Sequence, residues 1–313
     1  MGKSNFRPKT CYRFCLDFRN LDLYLSRFRR DFFFMINFNG NTISSDSNLL
    51  VNNRAFLYGD GVFETLKIID NKILFLEDHY FRLMASMRVV RMEIPMNFTM
   101  EYFEEQVLSL ANANGSQASA RARITVYRNE GGYYLPKKRS VSFLINCIAL
   151  ENTVYSNEKK PYEVDLYKDF YVTKQLLSSI KTTNKIINIT GSVFADENGL
   201  ENCLMLNDDK NVIEALNGNL FMVFEGKLIT PPISEGCLNG VMRKQILGLA
   251  SKIEGLEVVE EPISPFELQK ADELFITNVI FGVQSITKYR KKEFGNTVAN
   301  ELVKRLNAQI RLG

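Results

Sequence analysis

Two residues of this 313-residue chain stand where chemistry could begin. Lys181 lies in Ser179-Ile180-Lys181-Thr182-Thr183-Asn184, among small and hydroxyl residues at a strand-to-helix junction. Glu214 follows 33 positions later in the strand-like Val212-Ile213-Glu214-Ala215. A lysine amine attacks a carbonyl only when deprotonated, which desolvation and nearby positive charge favour. A carboxylate can hold a pyridine nitrogen protonated, and the two together are what pyridoxal phosphate (PLP) chemistry requires. Alone the pair is weak, because Lys174, Lys185, Lys210 and Lys227 are nearby alternatives and most lysines are simply solvated.

Three further segments join it. Tyr58-Gly59-Asp60-Gly61-Val62-Phe63-Glu64-Thr65 sets two glycines around an acid, then aromatic and hydroxyl residues suited to a pocket wall. On its own Gly-Asp-Gly reads as an ordinary turn. Asp78-His79-Tyr80-Phe81-Arg82-Leu83 carries the chain's single histidine three residues before Arg82, so both project from one side of a helix. Arg82 can grip a phosphate through its planar fork, although an isolated helix arginine usually carries a solvated charge. His79 reads equally as a packed histidine or a catalyst. Cys237-Leu238-Asn239-Gly240-Val241-Met242-Arg243 opens a helix through a Gly-containing turn. The N–H groups of Val241 and Met242 there suit an anion, as at any generic helix start.

The elements that must hold these residues read as a mixture of periods. Residues 77–90 and 100–112 have helical patterning, and 121–128 and 140–150 read as strands around a Gly-Gly-Tyr-Tyr-Leu-Pro loop. Residues 162–171 look extended and 184–197 helical. A hairpin over 202–215, a helix over 241–253, strands at 257–260 and 273–277 and a last helix over 297–311 complete the chain. Strands and helices without regular βαβ alternation predict an α+β protein of two domains. The expected division is 35–150, a polar linker 151–161 closed by a proline, and 162–313.

Residues 1–34 differ, with eight Lys/Arg against three Asp and seven of the 23 Phe. They read as a basic, aromatic extension outside the fold, with a basic amphipathic targeting arm as the alternative and a secretory signal a poor fit. The formal net charge of +3 gives no cause to expect nucleic-acid or membrane partners, and no apolar run approaches the ~20 residues of a membrane helix. Five scattered cysteines (Cys11, Cys15, Cys147, Cys203 and Cys237) suit reduced thiols in a cytoplasmic protein. With a single histidine, no metal centre is expected.

Taken in order, GDGxFET at 59–65, HxxRL at 79–83, IKxxN at 180–184, ExxxxNLF at 214–221, NGxMR at 239–243 and ADELF at 271–275 resemble the class IV aminotransferases, the fold-type IV PLP enzymes. The resemblance covers about residues 35–310. It implies two α+β domains with PLP in the cleft between them, usually in a homodimer. Carried over residue by residue, Lys181 looks like the Schiff-base lysine that also moves the substrate α-proton, and Glu214 like the partner of the ring nitrogen. Arg82, with the Val241 and Met242 amides, looks like the phosphate clamp. Leu238 looks like the residue packed on the ring, and Asn184 belongs to the lysine motif. Tyr58, Phe63, Thr65, Arg123, Arg128, Tyr133 and Asn278 are the candidate contacts to a small amino substrate.

Within the family, the lysine-motif spacing, the 239–243 turn and Thr277-Asn278 look closer to aminodeoxychorismate lyase, which forms 4-aminobenzoate and pyruvate in folate biosynthesis. Gly131-Gly132-Tyr133-Tyr134 lacks the Arg-x-His carboxylate trap of D-amino acid enzymes. Ala120 and Ala122 stand where branched-chain enzymes carry a Tyr and an Arg. The lyase is therefore the expected activity, with an amino-acid transaminase as the alternative, of branched-chain before D-amino acid type. A non-catalytic protein retaining the fold is the remote one.

Overall fold

The computed structural model describes residues 35–44, 52–157 and 160–312, so the expectation for residues 1–34 lies outside the described residues. Residues Met35–Gly313 form one compact unit built on two sheets. The first sheet contains β1 (Met35–Phe38), β2 (Asn41–Ser44), β3 (Gly61–Ile69), β4 (Lys72–Ile73), β5 (Ser119–Arg128) and β6 (Val141–Ala149), ordered β2-β1-β6-β5-β3-β4 and antiparallel throughout. Helix α1 (Arg54–Tyr58) leads into β3, and α2 (Leu76–Val89) and α3 (Met100–Ala113) cover one face.

β5 shows why this sheet has two different faces. Successive side chains on a strand point to opposite sides. Ala120, Ala122, Ile124 and Val126 therefore turn into a core with Leu83, Met87, Phe103 and Leu110 of the helices. Each large apolar side chain buried there contributes about 2 kcal/mol. Arg121, Arg123 and Thr125 turn the other way, and the β3 register places Thr65 opposite Arg123 and Lys67 opposite Arg121. On β3 that same face carries Phe63 and Thr65.

The second sheet holds β7 (Glu163–Val172), β8 (Asn202–Asn207), β9 (Val212–Ala215), β10 (Gly218–Phe224), β11 (Lys227–Thr230), β12 (Glu257–Glu260), β13 (Glu273–Asn278), β14 (Gly282–Ile286), β15 (Lys288–Tyr289) and β16 (Lys292–Glu293). β7 runs parallel to β8 and to β15, and β11 parallel to β12; the other pairs are antiparallel. Short α4 (Leu176–Ser179), α5 (Ile186–Glu197), α6 (Val241–Ala250) and α7 (Thr297–Leu312) accompany it. One apolar cluster joins Phe221 and Phe275 of this sheet to α6, α7 and, from the first sheet, Ile69.

This is the mixed α+β architecture expected. The five longer helices fall within two residues of the ranges read from periodicity, apart from α6, which ends three residues early; the short α1 and α4 have no counterpart in that reading. β10 and β14 are not among the strands read from the sequence: β10 is a nearly continuous apolar run without alternation, and β14, Gly-Val-Gln-Ser-Ile, is too short and mixed to show a period. Segment 150–157 carries no helix or strand, but it is not a free tether. Tyr155 is buried, with its N–H donating to Asn307 Oδ1, and Asn157 bonds Ser285 and Asn300. We propose that the two sheets are the two domains, joined across it.

Candidate active site

Lys181 is held by the first sheet. Its carbonyl accepts the N–H of Phe63 at 2.8 Å, and the N–H of Thr183 donates to the Gly61 carbonyl at 2.9 Å. Thr183 Oγ1 also donates to the Gly59 carbonyl at 2.8 Å. A Cβ on Gly61 would stand 3.1 Å from both Thr183 Cγ2 and the Val126 carbonyl, so the chains approach this closely because glycine is there. The Gly-Asp-Gly segment is thus a seam partner of the lysine segment and not an ordinary turn. Lys181 follows the short helix α4, not a strand, which corrects the expected strand-to-helix junction.

The ammonium nitrogen of Lys181 lies 4.6 Å from the Phe63 ring centroid and makes no ion pair. Burial, then the nearby Arg82 cation, pulls its pKa down to about 7, against the opposing pull of Glu64. A lysine of that kind is substantially deprotonated at neutral pH, as a nucleophile must be. Glu214 lies across the same cavity, whose volume is about 490 Å3. Its Oε2 accepts the N–H of Leu238 at 3.1 Å and Asn219 Nδ2 at 3.4 Å. Burial pushes its pKa up to about 7, although Lys185, the Leu238 N–H and Lys181 all favour the charged form. A protonated ring nitrogen beside it would restore the carboxylate.

The far end of the cavity is cationic. Arg82 gives Nε and Nη2 to Glu64 at 2.7 and 2.6 Å, and Nη1 to the Asn239 carbonyl at 2.7 Å. Three of its five N–H groups are thereby spent on orientation and two remain. Glu64 is fully buried; burial would raise its pKa, but Arg82 and the hydrogen bonds from His79 and Arg82 overcome this and hold it at about 2. His79 Nδ1 sits 2.8 Å from Glu64 Oε2, and burial lowers its pKa, so the neutral ring donates to the carboxylate. His79 Nε2 is buried without a partner.

Gly240 precedes α6 and provides no side-chain cap, so the first N–H groups of the helix, at Val241 and Met242, are left for a ligand. Both residues line the cavity with Gly240 and Leu238. An amine without a partner, an acid needing a cationic neighbour and an uncapped helix start beside a half-spent guanidinium match the aldehyde, ring nitrogen and phosphate of PLP.

The structure brings Lys181, Glu214, Arg82, Leu238, Val241, Met242, Phe63, Thr65, Arg123 and Asn278 to this one cavity. Four expected residues fall outside it. Arg128 is spent on Asp60 and the carbonyls of Val90 and Arg91, a buried brace. Tyr133 is 83% exposed on a loop whose carbonyls are gathered by Arg54. Tyr58 closes α1 against the same loop, its ring beside Tyr134. Asn184 is exposed and packs under Gly59. Asn278 reaches the cavity, but its amide is occupied: Nδ2 donates to the Asn217 carbonyl, and Oδ1 accepts from the Ile280 and Phe281 N–H groups.

Arg121 and Lys185 also line the cavity and were not picked out as site residues. Strand alternation could have found Arg121, since it shares a face with Arg123. Burial lowers the pKa of Lys185 and of Arg123, whose guanidinium lies 3.6 Å from the Phe63 ring centroid. Among the described residues, no cluster of His, Cys, Asp and Glu is placed to hold a metal ion, and no helix is long and apolar enough to cross a membrane.

A fold of two sheets around a cavity with this lysine, acid and phosphate-type cradle defines a PLP-enzyme class. The family model for class IV aminotransferases matches residues 61–289, and the chain belongs to that family. A putative branched-chain-amino-acid aminotransferase of Methanocaldococcus jannaschii is 29% identical over 266 residues, covering 85% of this chain and 91% of that one. A D-alanine aminotransferase of Bacillus licheniformis is 24% identical over 287 residues, covering 88% and 95%. The crystal structure of a branched-chain aminotransferase from Thermoproteus uzoniensis superposes with a TM-score of 0.78 at 22% identity, covering 89% of this chain and 95% of that one. The chain is thus an enzyme of a PLP-dependent transferase family. These relatives carry the names of transaminases, which moves the reading away from the lyase.

Proposed function

We propose that this protein is a PLP-dependent amino-acid transaminase of the branched-chain type. The observation that carries the reading is a half-buried lysine, without an ion-pair partner among the described residues, facing Glu214 across a cavity that Arg82 and the α6 N-terminus close. Bound there, PLP supplies the aldehyde for amine exchange and a ring that accepts the electron pair left when the α-proton departs. Lys181 supplies the amine that holds the aldehyde and, once displaced, moves the proton at the substrate Cα. Glu214 holds the ring nitrogen protonated, with Leu238 and Asn219 orienting its carboxylate. Arg82, Val241 and Met242 bind the phosphate. Phe63, Leu216, Val279, Ile280 and Phe281 give apolar walls that suit an aliphatic side chain.

A second reading, the lyase, is favoured by one observation. Arg121, Arg123 and Lys185 face the cavity without an ion-pair partner among the described residues, which suits a substrate with a further carboxylate. The experiment is turnover by the purified holoenzyme. Keto-acid formation from valine or leucine that depends on 2-oxoglutarate supports the transaminase. Pyruvate released from aminodeoxychorismate without an added keto acid transfers the assignment to the lyase. An unchanged visible cofactor band near ~410–420 nm in Lys181→Ala would remove the lysine from its role.

The reading includes a homodimer and a cytoplasmic setting. Ile186, Ile189 and Val193 form an exposed apolar stripe on α5, beside exposed Leu176 and Leu177, which suits a subunit contact. Cys147, Cys203 and Cys237 are free buried thiols, as a reducing compartment permits.

A further inference from the structure

Lys67 is buried, and neither catalysis nor cofactor binding as proposed above uses it. It lies on β3 between Thr65, which lines the cavity, and Ile69, which belongs to the apolar cluster of the second sheet. Alternation along the strand puts all three on one face. Among the described residues its ammonium has no carboxylate partner. It donates to the Ile280 carbonyl at 3.0 Å and lies 4.0 Å from the centroid of the Tyr155 ring. Burial without a counter-charge lowers its pKa to about 8. A buried ammonium without a counter-charge is costly, so what it gains must come from the carbonyl it meets.

That carbonyl belongs to the loop 278–282, which joins β13 to β14 and walls the cavity with Val279, Ile280 and Phe281. Two consecutive peptide units of the loop are held at both ends. The Val279 carbonyl accepts the Tyr155 hydroxyl at 2.5 Å, and the N–H of the same peptide unit, at Ile280, donates to Asn278 Oδ1 at 2.9 Å. The Ile280 carbonyl accepts Lys67, and the N–H of that unit, at Phe281, donates to Asn278 Oδ1 at 3.1 Å. Carbonyl and N–H of a trans peptide point to opposite sides, so gripping both fixes the rotation of each plane. Gly282 follows at φ +77°, and a Cβ there would stand 2.7 Å from the Tyr155 ring, so Tyr155 packs directly against the loop's end.

We propose that Lys67 is a positioning residue: reaching from the first sheet to a loop of the second, it fixes with Tyr155 the peptide planes that aim Val279, Ile280 and Phe281 at the substrate. The consequence for turnover rests on the transaminase reading; the consequence for the loop does not. Lys67→Met keeps the stem and removes the charge and donor. Amide hydrogen exchange in the holoenzyme is expected to speed up about tenfold at Ile280 and Phe281. KM for the amino substrate should rise about tenfold with kcat within about twofold and the cofactor band unchanged. Lys67→Arg should recover most of both effects. Wild-type exchange at these amides, or faster exchange with wild-type KM, overturns the proposal. Tyr155→Phe, which keeps the ring and drops the hydroxyl, is read by the same two measurements should Lys67→Met not fold, and wild-type values there overturn it equally. If the unaltered enzyme turns over no amino acid, the transaminase reading falls, while the exchange measurement still decides the role of Lys67.

Discussion

The backbone N–H of Phe63 donates to the carbonyl of Lys181 at 2.8 Å, and the Phe63 ring lies 4.6 Å from that lysine's ammonium. One residue of β3 therefore sets both the course of the lysine segment and the apolar surface its amine rests on. The same ring carries the Arg123 guanidinium at 3.6 Å, so it holds the lysine amine and a fixed cation side by side in one cavity.

The state of the Lys181 amine should be visible in the rate of cofactor capture. Burial and Arg82 bring its pKa to about 7, and only the neutral amine attacks. Capture of PLP by the apoenzyme should rise with pH through about 7 and level off above it. Phe63→Ser admits water and moves the midpoint upward, as stopped-flow absorbance would record. An unmoved midpoint would mean the ring does not shield the amine.

Glu214→Gln keeps shape and the hydrogen bond from Leu238 but cannot hold a proton on a ring nitrogen. Turnover should fall about a hundredfold or more while the cofactor stays bound. The check is kcat beside the visible spectrum. Retained turnover would take Glu214 out of the mechanism.

Glu64 has a folded pKa of about 2, below its ordinary value of 4.5, so it contributes stability above 4.5 that is lost as pH falls toward 2. Its worth is on the order of 3 kcal/mol in that window, since the group is fully buried. Urea midpoints of the wild-type protein should drop between pH 4.5 and 2 more steeply than those of Glu64→Gln. Parallel pH profiles would contradict it. Neutral-pH stability of the variant should fall as well, because Arg82 and His79 lose their shared partner.

Gly240 is fixed by close approach and not by its dihedral angles, since φ is −73°. A Cβ there would sit 2.0 Å from Asn219 Oδ1, and Asn219 links the Leu238 carbonyl to Glu214. Gly240→Ala should cost about 2 kcal/mol by overpacking. It should also weaken PLP binding, because the α6 start and Glu214 move together. Equilibrium dialysis of the cofactor and thermal unfolding measure the two effects.

The α5 stripe tests the subunit contact. Ile189→Glu places a charge at the middle of Ile186, Ile189 and Val193, and sedimentation should then report monomer where the wild-type protein gives dimer. A wild-type monomer, or an unaffected dimer, would refute this surface.

Much of the site was legible because PLP chemistry demands particular residue types in order. Lys181, Glu214, Arg82 and the 237–243 turn can be named from the chain, and the α2 and α6 periodicities and the 202–215 hairpin put Arg82, the turn and Glu214 on the elements that carry them. Other polar residues are consumed by partners that no local pattern reveals. Arg128 and Asp60 neutralise one another 68 positions apart, and Asn278 lines the cavity with its amide taken up by its own loop. Lys67 gives no signal in the sequence, because its partner Ile280 stands 213 positions away.

The sequence by itself determined the chemical inventory: a lysine, a carboxylate, an arginine and a glycine-led helix start, in the order of one family. Only the tertiary structure decided which side chains keep a free valence for a ligand. A polar side chain has a fixed number of donors and acceptors, and burial forces nearly all of them to find partners. Those partners come from distant strands, so no local reading can count them. What is left over after folding, the Lys181 amine, two Arg82 N–H groups and the first amides of α6, is what the proposed site offers a ligand.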